Sequence, residues 1–232
     1  MSQNRYNKLQ MIDMLSSSFL FSGLDKTELD KIADFAKLQH INPKTTVFFK
    51  GDHGNSMFIV ISGRLKVQNV SEEGKTLIIG FLEPGSSFGE IAVLDGKPRT
   101  ATVICVDQSE LLVIDRSSFL QFLEMHPTVA IKLMAVICQM LRTTNEFLES
   151  MVFLNLPFRL AKMLRLLSLK YGISTPNGIG FDMKISQSDL ANLVGASRES
   201  VNKQLRNWED EGLVKIEDGK LILDPKLLSI AD

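Results

Sequence analysis

The 232 residues predict an α+β chain of two domains, because three patterns follow one another along them. Short β-branched and aromatic segments, parted by Gly, Asp, Asn and Pro clusters, run from Thr46 to Ile114. A helical stretch with an apolar stripe then runs from Pro127 to Leu154, and two short helical segments separated by Gly195 precede a strand–turn–strand pattern. The first pattern fits an antiparallel barrel or jelly roll, and the third a winged helix-turn-helix. The expected boundaries are 1–126 for the barrel domain, 127–155 for the long helix and hinge, and 156–232 for the second domain.

Each element has its own signal. A helix is expected around Gln10 to Ser17, and a second from Asp25, where Leu29, Ile32, Ala33 and Ala36 recur at helical spacing. Strands are expected at Thr46–Phe49, Met57–Ser62, Arg64–Asn69, Thr76–Leu82, Ala101–Cys105 and Glu110–Ile114, with turns at Lys50–Asn55, Ser62-Gly63 and Ser71–Gly74. On the long helix, Val129, Leu133, Val136, Met140, Phe147, Met151 and Leu154 are spaced mostly by four and three. Such a stripe seals against a partner helix in a parallel coiled coil, or packs on its own subunit's core. Thr143, Thr144 and Asn145 interrupt it with polar groups that need partners.

Asn155 suits an N-cap and Pro157 the first turn of the next helix, Phe158 to Lys170, which is followed by a turn-rich loop from Tyr171 to Gly180. Ser186 or Ser188 then caps a helix Gln187–Val194, Gly195 makes the tight turn, and Ser197 begins a helix to about Asp210. Lys215–Glu217 and Lys220–Leu223 flank Asp218-Gly219, a hairpin signal.

Composition excludes several classes. A hydrophobic content of 44% and a net charge of −1 describe an ordinary globular chain. No apolar run is long enough to span a bilayer and MSQNRYNKLQ lacks a signal-peptide core, so a cytoplasmic location with no membrane partner is expected. Cys105 and Cys138 both lie in apolar stretches and read as buried free thiols. Two cysteines are too few for an iron–sulfur cluster, and His40, His53 and His126 lack ligand spacing, so neither metal nor haem is expected.

The stretch FGEIAVLDGKPRTATV, Phe88 to Val103, carries the clearest chemistry: a carboxylate, Glu90, and a guanidinium, Arg99, nine residues apart across a Gly-containing turn. Gly89 lets backbone approach a ligand, Glu90 can accept from sugar hydroxyls, and the Arg99 fork matches two phosphate oxygens. These residues read as a pocket for a small phosphate ester. The stretch resembles the phosphate-binding cassette of cyclic-nucleotide-binding domains, F-G-E-(L/I)-A-(L/V)-(L/I) followed after a short variable stretch by P-R-x-A-(A/T). Such cassettes occur in the cyclic AMP receptor/FNR (catabolite activator) family of bacterial regulators and in cyclic AMP-dependent kinases. Gly51, Gly63, Gly74 and Gly85 fall where those domains carry turn glycines.

The resemblance implies a cyclic-nucleotide-binding β-roll (jelly roll) in which Gly89, Glu90, Ile91, Ala92, Arg99 and Thr100 hold the ligand, with the Thr100 hydroxyl beside the phosphate. It also implies cyclic AMP as an allosteric ligand and a homodimer joined along the long dimerisation helix. By position, Thr144 from one subunit and Asn145 from the other would reach the adenine, and an amide can read a purine edge through both a donor and an acceptor.

The segment from Arg198 is amphipathic at about 100° per residue: Val201, Leu205 and Trp208 gather on one side, and Arg198, Glu199, Asn202, Lys203 and Arg206 on the other. One face is core and the other is free to read DNA from the major groove. Gly195-Ala-Ser-Arg-Glu-Ser-Val-Asn-Lys resembles the G-x-S-R-E-x-V-x-R of the receptor family, which implies that Arg198, Glu199 and Lys203 read bases. Lys203 departs from the family's Arg and cannot make the same fork contact. Arg206, with Ser186, Gln187 and Ser188, is expected at phosphates, and Ser197 at the helix start joins the same DNA-facing set. Residues 156–232 carry 11 Lys/Arg against 10 Asp/Glu, a balance of +1, so the case rests on local placement rather than on bulk charge.

The sequence therefore reads as a homodimeric transcription regulator under cyclic-nucleotide control, acting on a pseudo-palindromic site in double-stranded DNA, with RNA polymerase as a further partner. Alternatives are the same regulator answering to cyclic di-GMP, cyclic GMP or another small ligand, and a cyclic-nucleotide-binding regulatory subunit with a protein partner. An enzyme is not expected, for no nucleophile–base pair or Walker loop is present.

Overall fold

Two capping boxes start the chain in the computed structural model, which describes residues 6–181, 185–217 and 220–229. Asn7 accepts from Gln10 N ahead of α1 (Lys8–Ser16), and Asp25 accepts from Thr27 N and Glu28 N ahead of α2 (Lys26–Ala33). A 3-10 turn, Phe19–Phe21, lies between them. There follow β1 (Ala36–Ile41), β2 (Thr46–Phe48), β3 (Ser56–Ser62), β4 (Leu65–Val70), β5 (Thr76–Leu82), β6 (Ser87–Phe88), α3 (Glu90–Asp95), β7 (Thr102–Cys105) and β8 (Ser109–Asp115). Next come α4 (Arg116–Met125), α5 (Pro127–Phe153), α6 (Leu156–Tyr171), β9 (Gly172–Thr175), β10 (Gly178–Phe181), α7 (Gln187–Val194), α8 (Arg198–Asp210), β11 (Val214–Glu217), β12 (Lys220–Leu223) and α9 (Pro225–Ser229). By contacts the chain divides into two units, residues 1–74 with 79–142 and residues 143–232 with 75–78.

The first unit is a β-roll of two four-stranded antiparallel sheets, β1-β8-β3-β6 and β2-β7-β4-β5. Its register is set by pairs such as Ala36↔Ile114, Met57↔Ile114 and Val67↔Val103. Strand β3 explains its own apolar run, Met57-Phe58-Ile59-Val60, because both of its faces are buried. Phe58 and Val60 join Leu65, Phe88, Val103 and Leu111 in one core, while Met57 and Ile59 join Leu15, Phe21, Ile32, Phe119 and Phe122 in another. Each fully buried side chain of this size contributes about 1.5–3 kcal/mol of transfer free energy.

The second unit places α6 to α9 with the sheet β11-β12-β10-β9. Leu160, Ala161, Leu164, Leu190, Val194, Val201 and Leu205 are all buried. Asn155 accepts from Phe158 N and caps α6.

Several sequence expectations change. Ala36 starts β1 rather than ending a helix, because residues 36–41 pair with β8. Helices α3 and α4 were unforeseen, and the Tyr171–Gly180 loop contains strand β9 and most of β10, a hairpin closed by Thr175 Oγ1 donating to Gly178 O at 2.9 Å. Cys105 is buried, but Cys138 is exposed, since it stands on the outward side of α5. The start of the apolar stripe packs within the chain, where Val129 and Leu133 are core residues and Val136 packs against them, whereas Phe147 further along is exposed. The turn residues Asp218-Gly219 lie outside the described residues.

A second heptad-spaced series on α5 remains open in the single chain, namely Ile131, Met134, Cys138, Leu141, Asn145, Leu148 and Val152, at intervals of three and four. Its five large apolar members are each more than half exposed. No single helix among the described residues is long and apolar enough to cross a membrane. Helices α4 and α5 pass that test together, but they meet at a 114° bend and bury Phe119, Phe122, Val129 and Leu133 in the core.

Candidate functional site

Arg99 organises a cavity in the β-roll. Its backbone is pinned by the Lys50–Asn55 turn, with Arg99 N donating to Asp52 O at 2.8 Å and Gly51 N to Arg99 O at 2.9 Å. The side chain is only 5% exposed. Nη1 donates to Gly89 O at 2.8 Å and Nη2 to Ser56 O at 2.6 Å, while the guanidinium lies 4.2 Å from the Phe48 ring centroid and 5.8 Å from that of Phe58. The fork is thus held by two carbonyls and an aromatic face, with donors to spare.

Two glycines leave it room. Gly89 has φ +81°, and a Cβ there would stand 2.6 Å from Arg99 Nη1; a Cβ at Gly54 would collide with that of Ala92 and press on the guanidinium carbon at 3.2 Å.

The cavity, of about 240 Å³, is lined by Phe48, Val67, Ile79 and Leu82, by Ser87–Ala92, by Arg99–Ala101 and by Val103. Glu90 Oε2 and Arg99 Nε are buried and have no hydrogen-bond partner among the described residues. Burial pushes the Glu90 carboxyl above its ordinary range, against the pull of its own backbone N–H and of Arg99. Burial likewise lowers the Arg99 guanidinium, opposed by Glu90 and Asp52. A buried carboxylate and a buried guanidinium, each with an unpaired atom, are costly unless a polar ligand completes them.

The cassette residues named from the sequence therefore gather here: Gly89, Glu90, Ile91, Ala92, Arg99 and Thr100 all line the cavity. Thr144 and Asn145, in the second unit, are not among its lining residues and are exposed on α5. The sequence reading overlooked Phe48, Gly54 and Ser56. The aromatic Phe48 at a strand end just ahead of Gly51 was available as a signal; Ser56 contributes a carbonyl, which any residue type has.

The helix-turn-helix is built by local caps. Ser186, not Ser188, caps α7 by accepting from Asp189 N at 3.0 Å, Gly195 closes the helix at φ +62°, and Ser197 accepts from Ser200 N at 3.1 Å to begin α8. Val201, Leu205 and Trp208 are buried at 5% exposure or less, which turns Arg198, Glu199, Lys203 and Arg206 to solvent. Glu199, Asn202, Lys203 and Arg206 line one surface groove with Asn207 and Asp210. Ser188 and Ser197 are exposed, and Gln187 is half-buried. Among the described residues no three His, Cys, Asp or Glu form a metal-holding group.

Comparison with known proteins agrees with both halves. The model of the cyclic nucleotide-binding domain matches residues 38–126, and that of the Crp-like helix-turn-helix domain matches 158–229. The chain is 30% identical over 206 residues to the cyclic AMP receptor protein of Thermus thermophilus, covering 88% of this chain and 92% of that one. It is 28% identical over 213 residues to a CRP-like cAMP-activated global transcriptional regulator of Mycobacterium tuberculosis, covering 92% and 95%. In fold it matches the c-di-GMP-responsive global regulator of Xanthomonas campestris at a TM-score of 0.73 and 22% identity, over 86% of this chain and 99% of that one.

With a cyclic-nucleotide-binding domain ahead of a Crp-like DNA-binding domain, and regulators rather than enzymes among its relatives, the chain belongs to the cyclic AMP receptor/FNR family of transcription regulators, as a DNA-binding protein under the control of a cyclic nucleotide.

Proposed function

We propose that cyclic AMP is the nucleotide, that the working form is a homodimer in the cytoplasm, and that ligand binding shifts the dimer toward an arrangement that fits a pseudo-palindromic DNA site. The observation that carries the ligand is a pair of buried atoms with no partner among the described residues, Glu90 Oε2 and Arg99 Nε, in one cavity. A cyclic phosphate answers the guanidinium, with the Thr100 hydroxyl beside it, and a ribose hydroxyl answers the carboxylate. Gly89, Ile91 and Ala92 supply the close backbone wall around them. At about 240 Å³ the cavity lies below the roughly 300–1,000 Å³ of drug-sized pockets, which favours one nucleotide over a dinucleotide such as cyclic di-GMP.

The open heptad series of α5 supports the dimer. Apolar residues at intervals of three and four with a single Asn within the seam suit a parallel pair of helices, in which the Asn fixes register. In that dimer Thr144 and Asn145 read the adenine, and the nucleotide touches both subunits. Its effect on DNA binding equals its difference in affinity for the two arrangements. Arg198, Glu199 and Lys203 read base edges, while Arg206, Ser186, Gln187, Ser188 and Ser197 fix the docking register on phosphates. RNA polymerase is the further partner of the DNA-bound dimer.

The test is DNA binding with and without cyclic AMP, using wild type and Arg99→Leu. The proposal expects stimulation in the first and none in the second; equal stimulation in both contradicts it.

A further inference from the structure

The second unit holds a cavity that neither nucleotide nor DNA binding uses. It measures about 210 Å³ and lies where the end of α5 meets α6 and α7. Phe147, Met151, Met163, Leu166, Leu193 and Val194 make it apolar. About 150 Å³ suffices for a single aromatic ring, so this space accepts a ring or a short acyl chain.

Two half-buried cations also line it, Arg159 and Lys162, against one acid among the lining residues, Glu146. They are not equivalent. Arg159 is anchored to backbone, with Nη1 donating to Leu154 O at 2.9 Å and Nε to Val194 O at 3.3 Å, which fixes the guanidinium in place although other N–H donors of its fork remain. Lys162 spends one of its three donors on Ser150 Oγ at 2.7 Å. Two cations against one carboxylate leave a balance of one positive charge beside the apolar space, with Lys162 the less anchored of the two, and this matches a single negative charge on an apolar body better than it matches a dianion.

We propose that this cavity binds a small amphipathic carboxylate, its tail among Met151, Met163 and Leu193 and its head on Lys162. Leu193 and Val194 are the last residues of α7, directly before Gly195 and the Ser197 cap of α8. An occupant therefore presses on the first helix of the DNA-binding motif and gives the regulator a second chemical input. The site is independent of the cyclic-nucleotide reading, since none of its residues lines the Arg99 cavity.

The two methionines make the test direct. Octanoate is titrated, below its micelle concentration, into full-length protein carrying 13C-methyl methionine, with the Met151 and Met163 signals assigned by Met151→Leu and Met163→Leu. The proposal expects both signals to shift saturably, Lys162→Met to weaken octanoate about tenfold or more, Lys162→Arg to retain it, and Arg99→Leu to change nothing. Octanol, which has the tail without the charge, is expected to bind wild type more weakly and to be indifferent to Lys162→Met. The proposal is overturned if neither methionine signal responds to octanoate, or if octanol and octanoate shift them alike whatever residue stands at 162.

Discussion

Replacing Phe48 by Leu separates the role of the aromatic face from that of the Arg99 charge. The guanidinium lies 4.2 Å from the Phe48 ring centroid, and the Arg99 side chain is 5% exposed, so the contact is largely desolvated. A desolvated cation–π contact contributes about 2 kcal/mol, and Phe58, at 5.8 Å, retains part of the stacking. A loss of about 1–2 kcal/mol in holding the fork ready for phosphate corresponds to roughly 5–30-fold weaker binding of cyclic AMP. Calorimetry on Phe48→Leu, Phe48→Tyr and the double variant with Arg99→Leu reads this out. Phe48→Tyr keeps the face and is expected to bind as wild type, and Phe48→Leu should have no further effect once Arg99 is gone. Adenosine, which lacks the phosphate, should be insensitive to Phe48→Leu. The reasoning fails if folded Phe48→Leu binds cyclic AMP within twofold of wild type, or if adenosine weakens equally.

Other outcomes follow from the same geometry. The folded state raises the Glu90 carboxyl above its ordinary value, so its favourable contribution is complete below that value and is lost as pH rises through the raised one. Glu90→Gln should therefore raise the melting temperature of the ligand-free protein at pH 7 but not at pH 4, and the same variant should bind cyclic AMP more weakly; circular dichroism melts at the two pH values check the first part. Arg198→Ala should cost about 1–3 kcal/mol in specific DNA binding and relax preference at one base step, as measured by competition against mutated sites. Leu141→Glu places a charge in the open heptad series and should yield monomers in sedimentation, whereas an unchanged dimer would put the seam elsewhere on α5.

Much of the architecture was legible because local chemistry and tertiary structure agree. Strands β5 and β12 and helix α7 begin and end where turn residues, caps and apolar periodicity place them. The elements that escaped are those defined by partners. Strand β1 has a mixed pattern, and only its pairing with β8 makes it a strand. Helix α3 has six residues, too few to show a period. On α5 two heptad-spaced series share one helix, and a sequence cannot say which of them packs at home; Val129 and Leu133 do, leaving Ile131, Met134 and Leu141 open. At the cavity, Glu90 and Arg99 were visible as chemistry, whereas the carbonyls of Ser56 and Gly89, the Phe48 face and the space left by Gly54 arise only from chain segments brought together by folding.

The most direct measurement is calorimetric titration of the purified protein with cyclic AMP, with cyclic GMP and cyclic di-GMP alongside, in wild type and Arg99→Leu. The account predicts saturable binding of cyclic AMP at one site per chain, tighter than that of the other two nucleotides and lost in Arg99→Leu. Preference for cyclic di-GMP, or undiminished cyclic AMP binding in the variant, would contradict it.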